Sequence, residues 1–470
     1  FQLRSVMGTK SEHRSLNDGA VCSYKSLRTH DVDDEDDADS LDSHMPPYLR
    51  TERMRWTTFL ITTSMCALAS GPVSAWPTLE PVLIKAGLFD GPSQHANLDM
   101  CYSLALATQL GTSLPAGWLY DRFGGRFCCF WGAVVASFGL LIMAASCFWA
   151  AQLSHLMLVG YPLAMFGGSI NTYGIYVFIW ILPDHQNLVS SAAAGVTSLS
   201  DMLALVAVGM GACCGLYIGT FFLIVSGLSL IAGIVCWAYV PTKEVMLDLA
   251  GSTLHMDPSA IPSVHTPSEE EVCCGPEMAL LSRSWHVMKK HKIPNVLLLA
   301  FSLAYCLSIM YPTQEFLFYY TALFDSKTTA AELVNFYAFI YGAGGFVCAL
   351  SGGALCDKVG IRGFTAIVVG CCAVVTILLP IPSFAAQVAG QVMITLGTSL
   401  YFVVVNRFCM LYASPDLFGT LGGLQFTIIS VGMAVCMQVL QLATESSGEQ
   451  GAARFQLTYV STGTLATLLG

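Results

Sequence analysis

The sequence predicts an all-α polytopic membrane protein, with twelve transmembrane helices in two pseudo-symmetric six-helix bundles. Three observations predict it. Charge is scarce: 11% of the 470 residues are Asp, Glu, Lys or Arg, and 54% are hydrophobic. Soluble domains carry about a quarter charged residues. Apolar residues gather in runs of about 20 or more, the length that crosses a bilayer as a helix. The runs group as six, then a long polar stretch, then six.

Residues 1–55 are polar and hold "DVDDEDDADS" (31–40). Such a block is expected to stay disordered on the cytosolic side. It supplies much of the net charge of −10 and says little about a ligand. No signal peptide precedes the first span, which is expected to be the insertion signal. The N-terminal lobe is expected over 56–240, with spans at 56–86, 98–120, 127–149, 153–182, 187–210 and 216–240. A polar linker follows at 241–293. The C-terminal lobe is expected over 294–470, with spans at 294–323, 332–355, 363–382, 384–411 and 417–443, and a twelfth from about 455. The twelfth stops at Gly470, too short to cross fully at about 1.5 Å per residue, which points to a cut C-terminus. The 18 cysteines fall mostly in apolar runs, as small hydrophobes and not as a disulfide framework.

Loop charge sets orientation. One side carries Arg50, Arg53, Arg55, Arg122, Arg126, Lys243, Arg283, Lys289, Lys290, Lys292, Lys358 and Arg362; the other carries Lys85, Lys327 and Arg454. The basic side, with both termini, is expected to face the cytosol, and the plasma membrane is the expected location.

The scarce charge concentrates at two turns. "GWLYDRFGGR" (117–126) follows span 2, and "GGALCDKVGIR" (352–362) follows span 8. Both run from Gly to Asp, a basic residue, Gly and Arg. Glycines let two helices turn tightly. The Asp can cap a helix or face a helix N-terminus. If it meets a helix of the other lobe, it latches one side shut. Gly117, Asp121, Arg122, Gly124, Arg126, Asp357 and Arg362 are therefore candidate cytosolic gate residues. "GGSI" (167–170) and "GTSL" (397–400) echo one another, as do "LPD" (182–184) and "SPD" (414–416). Repeated six-span halves are a mark of secondary transporters.

Both loops resemble the signature loop of the major facilitator superfamily, and the resemblance covers nearly all of residues 56–470. It implies two six-helix lobes, a central binding cavity and rocker-switch alternating access. It also implies that Asp121, and less firmly Asp357, helps lock the outward-open state. One feature departs from it. Span 4 has no Arg or Lys, whereas many proton-driven members carry an Arg there, which argues against proton antiport. A narrower resemblance, to system-L-like facilitative amino-acid carriers and apicomplexan amino-acid transporters, rests on "SGPVSAWPTLEPVLIKAGLF" (70–89) and "SSAAAGVTSLSDML" (190–203). It implies sodium-independent transport of neutral, aromatic or cationic amino acids.

Polar residues inside lipid are costly and tend to be functional. Pro72 and Pro77 are expected to interrupt span 1, and Pro312 span 7. Breaks at matching places point to a binding site. Freed backbone groups around Ser70, Gly71 and Ser74 suit an amino acid's carboxylate and ammonium. Asp201, near the middle of span 5, suits an ammonium, a proton or a structural bond, with Ser198 on its face. Asn171 is a further hydrogen-bonding candidate. Tyr305, Tyr337 and Tyr401 offer aromatic surface with a polar tip. Arg407 in span 10 is expected at the gate, paired with Asp357. Glu80 and Glu315 are expected at the outer rim.

No Walker loop, no His–Cys spacing for a metal and no basic nucleic-acid footprint occur. No cofactor, metal, nucleic-acid partner or enzymatic activity is expected. The expected function is secondary transport of a small solute, an amino acid, through the lipid bilayer by a monomer. The competing expectations are an organic-anion or monocarboxylate carrier, favoured if Arg407 binds the ligand, and a receptor that binds solute without moving it.

Overall fold

The computed structural model describes residues 46–69, 76–253, 269–446 and 451–469. The chain divides into two units, Phe1–Arg50 and Thr51–Gly470. In the first, the described part is a 3-10 turn at Pro47–Leu49, and the acidic block 31–40 lies outside the described residues. The second unit holds the described helices from Glu52 onward. Its described residues form helices and turns without a strand.

Span 1 consists of two helices, Glu52–Ala67 and Trp76–Lys85. The Thr51 hydroxyl accepts from the Met54 amide and caps the first. Span 2 breaks at Thr112 into Gln94–Gly111 and Ser113–Phe123. Spans 3 to 6 are built on Gly125–Phe148, Met157–Ile175, Gln186–Cys214 and Ile218–Tyr239. Span 7 is the helix Lys292–Phe324. Pro312 does not interrupt it, contrary to the sequence expectation. Inside a bundle, neighbouring helices can satisfy the carbonyl that a proline frees. Span 8 starts as Lys327–Phe339, passes a π-helical turn at Ile340–Gly344 and enters a helix that folds back at Gly360 into span 9, ending at Leu378. Spans 10 to 12 are Phe384–Tyr412, Phe418–Ser446 and Ala453–Leu469.

Among the described residues, eight stretches are long and apolar enough to cross a membrane. One of them, Lys327–Leu378, carries both spans 8 and 9, so nine spans are covered. The other three are span 1, split into short halves, span 2, broken at Thr112, and span 12, of 17 residues. The linker is more ordered than its polarity suggests, with helices at Lys243–Thr253 and Glu269–Lys290. The second is tied down where the Arg283 guanidinium meets the Asp416 carboxylate at 2.9 Å.

Spans 1 to 6 form one bundle and spans 7 to 12 the other. Small residues let helices approach within each bundle, as in membrane helix pairs generally. A Cβ on Gly167 of span 4 would lie 2.2 Å from the Ala136 nitrogen of span 3. The two bundles meet along spans 2 and 11 on one side and spans 5 and 8 on the other.

Candidate functional site

The two Asp loops fold alike. Gly124 has φ 84° and ψ 171°, and Gly360 has φ 71° and ψ 166°. Each stands three positions after its Asp. Side chains other than hydrogen are strained at such angles. Four positions before each Asp is a second glycine pressed against the opposite bundle. A Cβ on Gly117 would lie 1.9 Å from the Gly419 oxygen, and one on Gly353 would lie 2.6 Å from Leu188 Cα. Span 2 thus meets span 11 as span 8 meets span 5.

Each Asp then bonds to the helix it faces. Asp121 is 2% exposed and accepts from the amides of Gly419, at 2.9 Å, and Thr420. These are first-turn amides of Phe418–Ser446, which have no partner within their own helix. The preceding residue, Leu417, has no side-chain acceptor. Asp121 therefore caps a helix of the other bundle. Asp357 accepts from the side-chain amide of Asn187, in the first turn of span 5.

Aromatic residues seal the same end. The Phe418 ring stands edge-on to Tyr176 at 5.4 Å and to Trp180 at 6.0 Å. Asn406 donates to the Tyr176 hydroxyl at 3.2 Å. Deeper in the seam, the Thr427 hydroxyl accepts from the Leu114 amide and donates to the Gly111 carbonyl, each at 3.1 Å. The basic end is closed. Sequence reasoning missed Tyr176, Trp180, Asn187, Asn406 and Phe418, which sit at span ends with no distinguishing spacing.

Arg122 and Arg126 meet aromatic rings of their own bundle. The Arg122 guanidinium lies over Trp118 at 5.1 Å and Phe123 at 5.2 Å. Arg126 lies over Trp237 at 4.9 Å and donates to its carbonyl, joining spans 3 and 6. Lys243 donates to the Asp121 carbonyl, so the linker begins against the loop. Arg362 is exposed. Arg407 is half-buried within electrostatic reach of Cys356. Among the described residues no ion pair joins it to Asp357, which corrects the expected pairing. Asp357 instead points across the seam at Asn187.

A second cluster occupies the middle of the seam. Asp201 sits midway along Gln186–Cys214 and is 4% exposed. Tyr102 of span 2, Tyr161 of span 4 and Tyr337 of span 8 lie within electrostatic reach of its carboxylate, and all are buried. Trp76, opening the outer half of span 1, stacks on Tyr161 at 5.5 Å and tilts over Tyr102 at 5.6 Å. Tyr102 also bonds with Thr313 of span 7, the residue after Pro312. Tyr337 packs on Tyr341 at 5.4 Å and edge-on to Phe316 at 5.1 Å. One turn from Asp201, Ser198 lies against span 8, where a Cβ on Gly345 would come within 3.0 Å of its hydroxyl. Among the described residues the buried Trp76 indole N–H has no acceptor.

Of the expected ligand residues, Asp201, Ser198 and Tyr337 come together here. Tyr305 and Tyr401 do not: they stack on each other at 4.8 Å inside the second bundle and line a small apolar pocket. Asn171 is also elsewhere. Its amide nitrogen donates to the Cys66 carbonyl at 3.0 Å and its oxygen accepts from the Cys66 thiol at 3.4 Å, tying span 4 to span 1. Ser70, Gly71 and Ser74 lie outside the described residues. Glu80 is 2% exposed, buried instead of on the rim. Tyr102, Tyr161, Trp76 and Thr313 were not anticipated, since aromatic residues in an apolar run carry no signal of the face they share.

Two bundles of six spans, latched by mirrored Asp loops around a buried polar and aromatic seam, define a carrier of the two-lobed class. The model of the Major Facilitator Superfamily matches residues 58–437, and the chain belongs to that superfamily of secondary transporters. Among solved structures, it is similar to the proton:xylose symporter XylE bound to 6-bromo-6-deoxy-D-glucose, with a TM-score of 0.62 and 12% sequence identity, over 88% of this chain and 94% of that one. No curated protein sequence matches the chain.

Proposed function

We propose that the protein moves amino acids across the membrane by alternating access, as a monomeric uniporter or exchanger. The observation that carries this proposal is the Asp201 carboxylate, buried at mid-span among Tyr102, Tyr161 and Tyr337 on both sides of the seam. A buried acid ringed by aromatic faces suits an ammonium group, through charge and cation–π attraction. The Trp76 N–H is a buried donor on the same aromatic stack, suited to a carboxylate. A zwitterion needs both. Arg407 lies nearer the basic end of span 10, which disfavours an organic-anion carrier built on it. The xylose symporter lends its fold to the comparison, and at 12% identity not its sugar. Asp121 and Asp357 act as the cytosolic latches, a reading supported by their bonds to Gly419 and Asn187 of the opposite bundle. The excess of Lys and Arg at that side supports a cytosolic orientation. The plasma membrane is the proposed location.

The test is uptake of a labelled amino-acid panel into proteoliposomes, with and without a pH gradient, for wild type and Asp201→Asn. Saturable uptake indifferent to pH and lost in the variant is expected. Uptake that follows the proton gradient would make Asp201 a proton carrier and overturn the uniport assignment. Wild type without uptake of any amino acid would overturn the substrate class.

A further inference from the structure

Three thiols from three spans meet inside the first bundle. Cys66 stands near the end of the inner helix of span 1, Cys129 in the second turn of span 3 and Cys236 in the last turn of span 6. All three are buried and none is in a disulfide. Cys66 Sγ lies 3.8 Å from Cys129 Sγ and 4.0 Å from Cys236 Sγ, and all three sulfurs lie within 4.8 Å of one another. In sequence Cys129 and Cys236 stand 63 and 170 positions from Cys66, so no spacing motif betrays them.

We propose that Cys66, Cys129 and Cys236 form a three-sulfur binding site for a soft, closed-shell cation, Cu(I). The spacing fits. A metal–sulfur bond of about 2.3 Å sets the edges of a trigonal sulfur plane at about 4.0 Å. Two of the three edges already have that length, so binding requires side-chain adjustment and not helix movement. The distances are far beyond the roughly 2.05 Å of a disulfide, so no bond joins the sulfurs. The donor set is all sulfur, with no carboxylate or imidazole. Soft thiolates select Cu(I) over hard cations. Two oxygens of Asn171 stand beside the sulfurs: Oδ1 accepts from the Cys66 thiol and the main-chain carbonyl accepts from the Cys129 thiol. Binding replaces S–H bonds with S–Cu bonds, the protons leave to water, and copper stays Cu(I).

Location gives the site a consequence. Cys129 and Cys236 are close to the basic-end termini of their helices, so the ion enters from that side. Cys66 is the penultimate residue of the helix Glu52–Ala67, which ends in the turn at Leu68–Ala69. An ion on Cys66 joins the inner half of span 1 to spans 3 and 6.

The test uses the full chain, reduced and in detergent, with Cu(I) as the probe and a Cu(I) chelator as competitor. One Cu(I) retained per chain is expected, with an X-ray absorption shell of sulfur alone and a raised melting temperature. Cys66→Ala and Cys236→Ala are expected to lose at least tenfold in affinity. The exposed pair is the control: Cys213→Ala with Cys214→Ala is expected to bind as wild type. Loss of all Cu(I) from wild type to the chelator would overturn the proposal. So would nitrogen or oxygen in the shell, equal retention by Cys66→Ala and Cys236→Ala, or tighter binding of Zn(II). The wild-type spectrum stands even if a variant fails to fold.

Discussion

Gly117→Ala tests the latch most directly. The new Cβ would meet the Gly419 carbonyl oxygen at 1.9 Å and its carbon at 2.5 Å, both main-chain atoms that cannot rotate away. Ordinary contact begins at 3.4 Å, so the bundles must part by about 1.5 Å at this point. The Asp121 bond to the Gly419 amide, now 2.9 Å, would then exceed any hydrogen-bonding distance. Overpacking of this kind costs about 1–3 kcal/mol, which shifts the closed state by about 5- to 150-fold. Loss of the two Asp121 hydrogen bonds acts in the same direction. The readout is amide hydrogen exchange of the full chain in lipid nanodiscs. The Gly419 and Thr420 amides are first-turn donors whose acceptor is Asp121, so their protection reports closure alone. Gly117→Ala is expected to speed their exchange by that factor. Gly209→Ala, whose Cβ would meet nothing within 4 Å, is expected to leave it unchanged. Wild-type exchange at both amides in Gly117→Ala would refute the reasoning.

Two further outcomes follow from the loops. Gly124→Ala and Gly360→Ala force a side chain into positive φ and should each cost about 1–3 kcal/mol in thermal unfolding; Gly124→Ala should be worse, because its Cβ would lie 2.8 Å from Lys243 Cβ whereas Gly360 has open space. Equal losses would argue against the Lys243 contact. At the linker, burial pushes the Asp416 carboxyl up, but the Ser414 hydroxyl and the Arg283 guanidinium outweigh it and hold it below its ordinary value. A depressed carboxylate stabilises above its unfolded pKa of about 3.9 and loses that contribution as pH falls through the folded value. The tie of helix Glu269–Lys290 to the span 10–11 loop should hold at neutral pH and loosen only in strong acid. Both partners are over a third exposed, so Arg283→Ala should cost less than about 1 kcal/mol. Exchange across 279–290 checks it, and loosening already near pH 6 would refute it.

The Asp loops were legible because both copies keep glycines four before and three after the Asp. The glycines three after answer to local backbone geometry, which sequence records directly, and those four before answer to the opposite bundle. In span 1, Pro72 lies outside the described residues and Pro77 lies within the helix Trp76–Lys85. Pro312 shows the limit: the same residue in span 7 leaves the helix continuous, because neighbours decide whether a freed carbonyl is satisfied. Partners across the seam were illegible. Nothing local marks Asn187 as the partner of Asp357, or Tyr102 and Tyr161 as companions of Asp201. Asn171 read as a ligand candidate because a buried amide must bond to something, and sequence does not say that Cys66 is what it meets. The linker helices were obscured by the polar, proline-containing segment between them.

The two latches differ in what mutation can do to them. Asp357 bonds to the Asn187 side chain, so a single codon change on either side abolishes the contact. Asp121 bonds to main-chain amides, which every residue but proline possesses. Drift at Thr420 can alter the neighbourhood without deleting the donor. A proline in that first turn would silence it while leaving the helix intact, since helices accept proline there. One half of the gate is therefore heritable through a single residue, and the other through two.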